Sequence, residues 1–400
     1  MTAAAPPDPA GRWLALGMLA LAVLASMSTW FSASAVVPQV TDRWGLTATT
    51  AALLTIAVQL GFVVGALLSA ALSLTDVVRP RLVIAFGALG AAVANLLLLT
   101  VDGAAHAVLL RALTGLFLAG VYPPAMKAMA TWFRAGRGLA LGTMVGALTL
   151  GSSLPHLVNG LGGLDWRTVI VATSAITVAG AALALVGHDG PFAFPRGAFD
   201  PRAALRVLGD RRVRLAAYGY FGHMWELYAM WTWVGAYLAA SFAASGTGDP
   251  ARASAFGAFG AIGIGAVGCV VGGAMSDRRD RPWAASLALT LSGVCAVLAG
   301  PVFGRAGVLV MTLVLVWGFW VIADSALFSA IVTDVADQRY VGTAVTLQLA
   351  LGFTLTVVTI WLVPLAVESV GWRWSFLLLV PGPIVGTAAM RALRRLPAPA

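Results

Sequence analysis

The sequence predicts an all-α membrane protein with twelve transmembrane helices in two pseudo-symmetric bundles of six. Three observations carry that expectation. The 400-residue chain is 60% hydrophobic and only 10% charged, against roughly 25% charge in ordinary soluble domains, so no water-facing surface could cover its apolar side chains. Apolar runs alternate with Asp, Arg, Gly and Pro along the whole chain, and many reach or approach the roughly 20 residues that cross about 30 Å of hydrocarbon. Landmarks of the first half also return in the second.

The runs fall at 13–37, 50–74, 81–101, 107–130, 138–160, 168–187, 214–240, 254–275, 283–303, 307–332, 342–366 and 374–391. The first ends near Ala33-Ser34-Ala35, a small-residue stretch like a signal cleavage site. It is too long for a signal h-region and more spans follow it, so it reads as the first transmembrane helix. The second closes on SLTDVVRPR, the fourth contains RALTGLFLAG, and the fifth reads GTMVGALTLGSSLP, whose small residues allow close helix packing. Asp165-Trp166-Arg167 precedes the sixth. The polar, basic stretch HDGPFAFPRGAFDPRAALRVLGDRRVR, 188–214, then divides the chain into a first bundle at 1–187, a central loop at 188–213 and a second bundle at 214–400. The seventh run holds GYFGHMWELYAMWTW, the eighth ends in GGAMSDRRDRP, and the tenth carries VWGFWVIADSALFSA. Gly371-Trp372-Arg373-Trp374 precedes the twelfth.

The repeat is visible in single residues. Asp76 and Asp277 lie 201 positions apart at the ends of the second and eighth runs, and Trp166 and Trp372 lie 206 apart before the sixth and twelfth. Six spans per half is an even number, so both halves enter the membrane from the same face. Such parallel repeats place the substrate site between the halves near the midplane.

A net charge of +9 invites a nucleic-acid partner, but the basic residues are not scattered. With Arg12 in the cytoplasm, most of them, including Arg79, Arg81, Arg134, Arg137, Arg211, Arg212, Arg214, Arg278, Arg279, Arg281, Arg391, Arg394 and Arg395, alternate to that side. The asymmetry is the positive-inside bias. It predicts a multi-pass protein of the cell membrane with both termini cytoplasmic, with the lipid bilayer as its partner and no nucleic acid. Cys269 and Cys295 fall within spans and make no disulfide framework. His106, His156, His188 and His223 show no metal-ligand spacing, and no phosphate-cradling GxxxxGK[ST] occurs. The sequence thus predicts no enzyme, no cofactor and no nucleotide-driven pump.

GGAMSDRRDRP sets Gly273, Asp277, Arg278 and Arg281 at the spacing G-x-x-x-D-R-x-x-R. Here the chain resembles the major facilitator superfamily, whose loop between the second and third helices, and its copy between the eighth and ninth, carries G-x-L-x-D-R-x-G-R. The resemblance covers essentially the whole chain and implies a secondary transporter working by alternating access, with the aspartate loops as cytoplasmic latches. The first copy, with Asp76, Arg79 and Arg81, departs from the pattern: Leu72 stands where the family has glycine, and no arginine directly follows Asp76. Arg111, four residues before Gly115, resembles the family's R-x-x-x-G motif and implies proton or substrate handling; a position about 7 Å inside its span equally allows it to snorkel to the interface. Gly142, Gly146, Gly151 and Pro155 match the drug–proton antiporter signature only in part. Trp30-Phe31-Ser32 and SLTDVVRPR are similar to nitrate and cyanate permease-like members.

The chain has two glutamates, and Glu226 is one of them, twelve residues beyond Arg214 and therefore about 18 Å into the bilayer. An ionised carboxylate there costs roughly 2.5–3.5 kcal/mol on insertion scales and usually faces the bundle interior or a water-filled cavity. His223 precedes it by three residues, so the two can meet on one helix face. Gly219 and Gly222 share that face and leave room for water or substrate, while Phe221, Met224, Tyr228 and Trp231 point largely away. Asp324 is the other embedded acid. Glu226, His223, Arg111 and Asp324 are therefore the candidates for proton and substrate handling, with Trp30, Gln59, Asn95, His156, Trp225, Trp317 and Gln348 as candidate pocket lining. The reading is a monomeric, proton-coupled carrier of a small solute, with an organic or inorganic anion favoured by Arg111. A proton-driven drug or metabolite exporter and a non-transporting receptor or scaffold on the same fold are the alternatives.

Overall fold

The computed structural model describes residues 9–72, 74–133, 136–162, 165–192, 209–337 and 340–396; the Asp76 side chain, Arg134 and residues 193–208 of the central loop lie outside them. Regular structure among the described residues is helical throughout. In chain order the helices are α1 (Arg12–Met27), α2 (Val37–Trp44), α3 (Ala48–Ala71), α4 (Leu74–Val77), α5 (Pro80–Leu96), α6 (Ala104–Leu118), α7 (Tyr122–Ala130), α8 (Arg137–Leu161) and α9 (Trp166–Val186). After the central loop follow α10 (Arg211–Ala244), α11 (Pro250–Gly263), α12 (Gly265–Arg278), α13 (Arg281–Val302), α14 (Gly307–Ile322), α15 (Ser325–Val335), α16 (Val341–Ser375) and α17 (Pro381–Arg394).

The punctuation read in the sequence does physical work at the helix ends. The carboxylates of Asp165, Asp210, Asp249 and Asp280 accept backbone amides of the first turns of α9, α10, α11 and α13, satisfying donors that have no intrahelical partner. At Asp165 the Thr168 hydroxyl, with the amides of Thr168 and Arg167, holds the carboxyl below its ordinary range. Prolines in the first turns of α5, α7, α11, α13 and α17 occupy positions where a missing N–H costs nothing.

Nine helical stretches among the described residues are long and apolar enough to cross a membrane. Three features separate that number from the twelve expected runs. The α1 helix is apolar but has only 16 residues, because the chain breaks into turns after Met27. The 34-residue α10 falls outside the nine because His223, Glu226 and its tyrosines and tryptophans lower its hydropathy. Val341–Arg394 forms one stretch of 54 residues, although Gly371 breaks it with φ 72°, a left-handed conformation that glycine adopts without steric cost.

Within the first half α3 packs on α6, α5 on α9, and α1 on α8 and α9. Within the second, α10 packs on α16, α17 and α11, and α13 on α14 and α17. Two seams join the halves: α8 lies along α11 and α12, and α3 lies along α16. The first seam depends on glycine. A Cβ on Gly142 would stand 2.5 Å from the Cys269 carbonyl oxygen, and one on Gly273 the same distance from the Gly138 carbonyl oxygen, so the two backbones approach as only small residues allow. Gly151 likewise abuts the Leu24 carbonyl, which gives the incomplete antiporter signature a packing use.

Candidate functional site

Two rungs join α10 to the tenth span. On the first, the Trp317 indole N–H donates to Glu226 Oε1 at 2.7 Å, with both side chains buried. On the second, His223 Nδ1 lies 2.9 Å from Asp324 Oδ1, each side chain 1% exposed. Asp324 stands where the tenth span breaks between α14 and α15, and its carboxylate makes no helix-cap hydrogen bond. That break frees the carboxylate to reach the neighbouring helix. Among the described residues His223 Nε2 has no hydrogen-bond partner and the Asp324 oxygens have none beyond the imidazole contact, while the buried Ser292 hydroxyl on α13 stands beside the Glu226 carboxyl.

This arrangement corrects two sequence expectations and refines a third. His223 and Glu226 share a helix face but each meets a different partner, because the tenth span offers a carboxylate about two turns from an indole. Gly219 and Gly222 do not open space beside the acid. A Cβ on Gly222 would collide with the Gly382 carbonyl and lie 2.8 Å from Gly386 Cα, and one on Gly219 would meet Met390 and Phe328; the glycines let α10 and α17 touch. Finally, Tyr228 and Trp231 point away from Glu226, yet they point toward the other half, so the acid faces the interior of the second half.

A second polar cluster lies in the first half. Arg111 is 0% exposed, so its guanidinium does not snorkel. It donates to the carbonyls of Leu54, Thr29 and Trp30, to Ser32 Oγ at 3.1 Å and to Asn95 Oδ1 at 3.3 Å. Asn95 in turn donates to the Ile170 carbonyl, Thr173 Oγ1 and Ser174 Oγ on α9. The carbonyls at Thr29 and Trp30 are available because α1 ends at Met27, and the planar guanidinium fork satisfies several of them at once. Every partner of Arg111 among the described residues is neutral, and none of them is a carboxylate.

Between the clusters lies an aromatic layer contributed by both halves. Trp30 meets Phe62 at 5.2 Å, Tyr228 at 6.0 Å and Phe353 at 6.2 Å between ring centroids. Phe62 and Phe353 are 4.9 Å apart, and Phe31 meets Trp231 at 6.0 Å. Gln59, one turn from Phe62 on α3, is fully buried, and among the described residues both its amide atoms are unpartnered, as are Trp30 Nε1, Trp231 Nε1, Gln348 Oε1 and Nε2 of the buried His156 on α8. Trp225 is not part of the layer: it is half-buried and donates to the Leu378 carbonyl at 3.0 Å, pinning α10 to the segment before α17.

At the arginine-rich end, Asp277 lies over the start of α8, its carboxylate where a Gly138 Cβ would be. A carboxylate of the second half thus meets a helix N-terminus of the first, where the helix dipole favours it. Arg281 pairs with Asp334 on α15, and Arg394 Nε lies 2.8 Å from Asp280 Oδ1. Arg278 is exposed. Of the first loop copy, Arg81 donates to the Gly187 carbonyl at 3.4 Å and Arg79 is exposed.

Sequence reasoning missed Phe31, Phe62, Phe353, Ser292 and Asp334, and it named Trp317 only as a wall. One signal pointed to Trp317: the offset of 206 between Trp166 and Trp372, applied to Arg111, lands on it. The fourth and tenth spans therefore each send a donor to the first span of their own half, a guanidinium in one and an indole in the other. Among the described residues no group of three His, Cys, Asp or Glu side chains could hold a metal ion.

Two helical halves in close seam contact, each with a buried polar core, with an aromatic layer between them, define a membrane carrier of the secondary-transporter class. The sequence profile of the Major Facilitator Superfamily matches residues 18–356, and the chain belongs to that family. Its fold is similar to that of a bacterial homolog of the human lysosomal transporter Spinster, determined inward-facing and unoccupied, with a TM-score of 0.72 at 14% identity, covering 98% of this chain and 100% of the other. No curated protein sequence matches the chain.

Proposed function

We propose that this transporter moves a small solute across the cell membrane by alternating access, coupled to protons through Glu226. Two bundles of six spans, 1–187 and 214–400, rock about the aromatic layer, with the 188–213 loop and both termini in the cytoplasm and a single chain as the working unit. The observation that carries proton coupling is the pair of rungs between α10 and the tenth span. Asp324 has an imidazole within hydrogen-bonding reach in His223; Glu226 has an indole, which cannot carry a balancing charge. A carboxyl buried without a cation carries its charge at high cost, so a cycle that moves α10 against α14 is one in which Glu226 gains and loses a proton.

The preference for an anion rests on Arg111. Its guanidinium binds the Trp30 carbonyl directly behind the aromatic layer, and with neutral partners only, its field reaches the layer in a low-dielectric setting. The rings of Trp30, Phe62, Tyr228 and Phe353 offer the apolar contacts of a ligand site, which favours an organic anion over an inorganic one. The same rings support the second reading, a proton-driven exporter of apolar drugs or metabolites. A thermal-shift screen of the purified protein against organic anions and apolar amines separates the two. Uptake of the stabilising solute into proteoliposomes, driven by an inward proton gradient and abolished by a protonophore, then tests the coupling; uptake indifferent to the gradient overturns it.

A further inference from the structure

The membrane-facing side of the second half carries a groove of about 540 Å³ between α13 and α17. Val294, 49% exposed, and Ile384, 63% exposed, form its rims, while Gly293 and Pro383 form its floor. The groove runs along α17 from Val380 to Arg391. Eleven residues of helix cover about 16 Å, roughly half of a 30 Å hydrocarbon core, so the groove spans one leaflet.

Its two ends differ in chemistry. Near mid-membrane the lining is apolar, with Val297, Leu298 and Val380. At the arginine-rich face it ends on Arg391, which is exposed and has no hydrogen-bond or ion-pair partner among the described residues, whereas its neighbour Arg394 is engaged by Asp280. Trp283 sits at the start of α13 on the same side, with the Arg279 guanidinium 4.8 Å from its ring, an aromatic of the kind that marks the headgroup level. An apolar channel one leaflet long, closed by a cation with no partner among the described residues at headgroup depth, matches one ligand in both dimensions.

We propose that this groove is a binding site for an anionic phospholipid, one acyl chain lying along Gly293 and Pro383 and the phosphate held by Arg391. Basic pockets between transmembrane helices on the cytoplasmic side select anionic headgroups, and each basic residue near the surface contributes enough for about fivefold in affinity. The site is separate from Glu226 yet braces it from behind, because the opposite face of α17 is the one whose Gly382 and Gly386 touch Gly222 on α10.

The test uses the full chain in detergent with dioleoyl phosphatidylglycerol, dioleoyl phosphatidylcholine and free glycerol 3-phosphate as probes, read by native mass spectrometry and thermal shift. The wild type should retain phosphatidylglycerol about fivefold more tightly than phosphatidylcholine and ignore glycerol 3-phosphate. Arg391→Gln should remove the preference while leaving weak binding of both lipids. Ala388→Phe, at an exposed position in the groove, should weaken both without lowering the melting temperature of the lipid-free protein. Equal retention of the two lipids by the wild type, a response to glycerol 3-phosphate alone, or wild-type lipid binding by both variants would overturn the proposal.

Discussion

His223 Nδ1 lies 2.9 Å from Asp324 Oδ1 with both side chains 1% exposed, and this contact ties the seventh span to the break in the tenth. Removing one partner of a buried hydrogen-bonded pair leaves the other's polar atoms buried and unsatisfied, at a cost of roughly 1–3 kcal/mol. His223→Leu and Asp324→Leu should therefore each destabilise the protein severely, while the double variant loses clearly less than the sum. Melting temperatures of the four proteins in one detergent give the cycle, and additive losses would show that the two groups are not coupled.

Arg111 acts through geometry as well as charge. Arg111→Lys keeps the charge but cannot reach the Leu54, Thr29 and Trp30 carbonyls together, and each buried acceptor left unpaired costs about 1–3 kcal/mol. The expected outcome is a lower melting temperature and reduced transport. Wild-type behaviour of the lysine variant in both measurements would show that only the charge matters.

The contact of Asp277 with the start of α8 joins the two halves. A charge at an exposed helix terminus contributes about 0.3–1 kcal/mol, so Asp277→Asn should slow transport by roughly two- to fivefold while membrane insertion is unchanged. An unchanged initial rate in a correctly inserted variant would reduce the loop to a topology signal.

The orientation is testable apart from transport. Cys269 and Cys295 are buried, so single reporter cysteines stand out. Asp102→Cys, at an exposed residue paired with Arg43, should label from outside intact cells, and Asp189→Cys, exposed at the end of the first half, should not. The reverse pattern would invert the topology.

Much of this fold was legible because bilayer thickness and helix capping are local constraints. Asp165, Asp210, Asp249 and Asp280 fall in the polar breaks that separate the apolar runs, and in the structure they cap the helices that follow. The site was less legible because its contacts are made between helices. A helical wheel places His223 beside Glu226 but cannot show that Asp324 and Trp317 arrive from across the bundle. Depth along the fourth span gave Arg111 an escape to the interface, whereas the break after Met27 supplied carbonyls that hold it inside. Gly219 and Gly222 read as space and proved to be contact, since a missing side chain serves either use until a neighbour is known.

Glu226→Gln tests the central claim most directly, because glutamine keeps the shape and can still accept from Trp317 while losing the charge change. The measurement is proton-driven accumulation against counterflow in proteoliposomes from pH 5 to 8, with the solute returned by the thermal-shift screen. If Glu226 carries the proton, accumulation disappears at every pH while counterflow survives, since exchange need not release the proton. Full proton-driven accumulation by the glutamine variant would contradict the account and pass the role to Asp324.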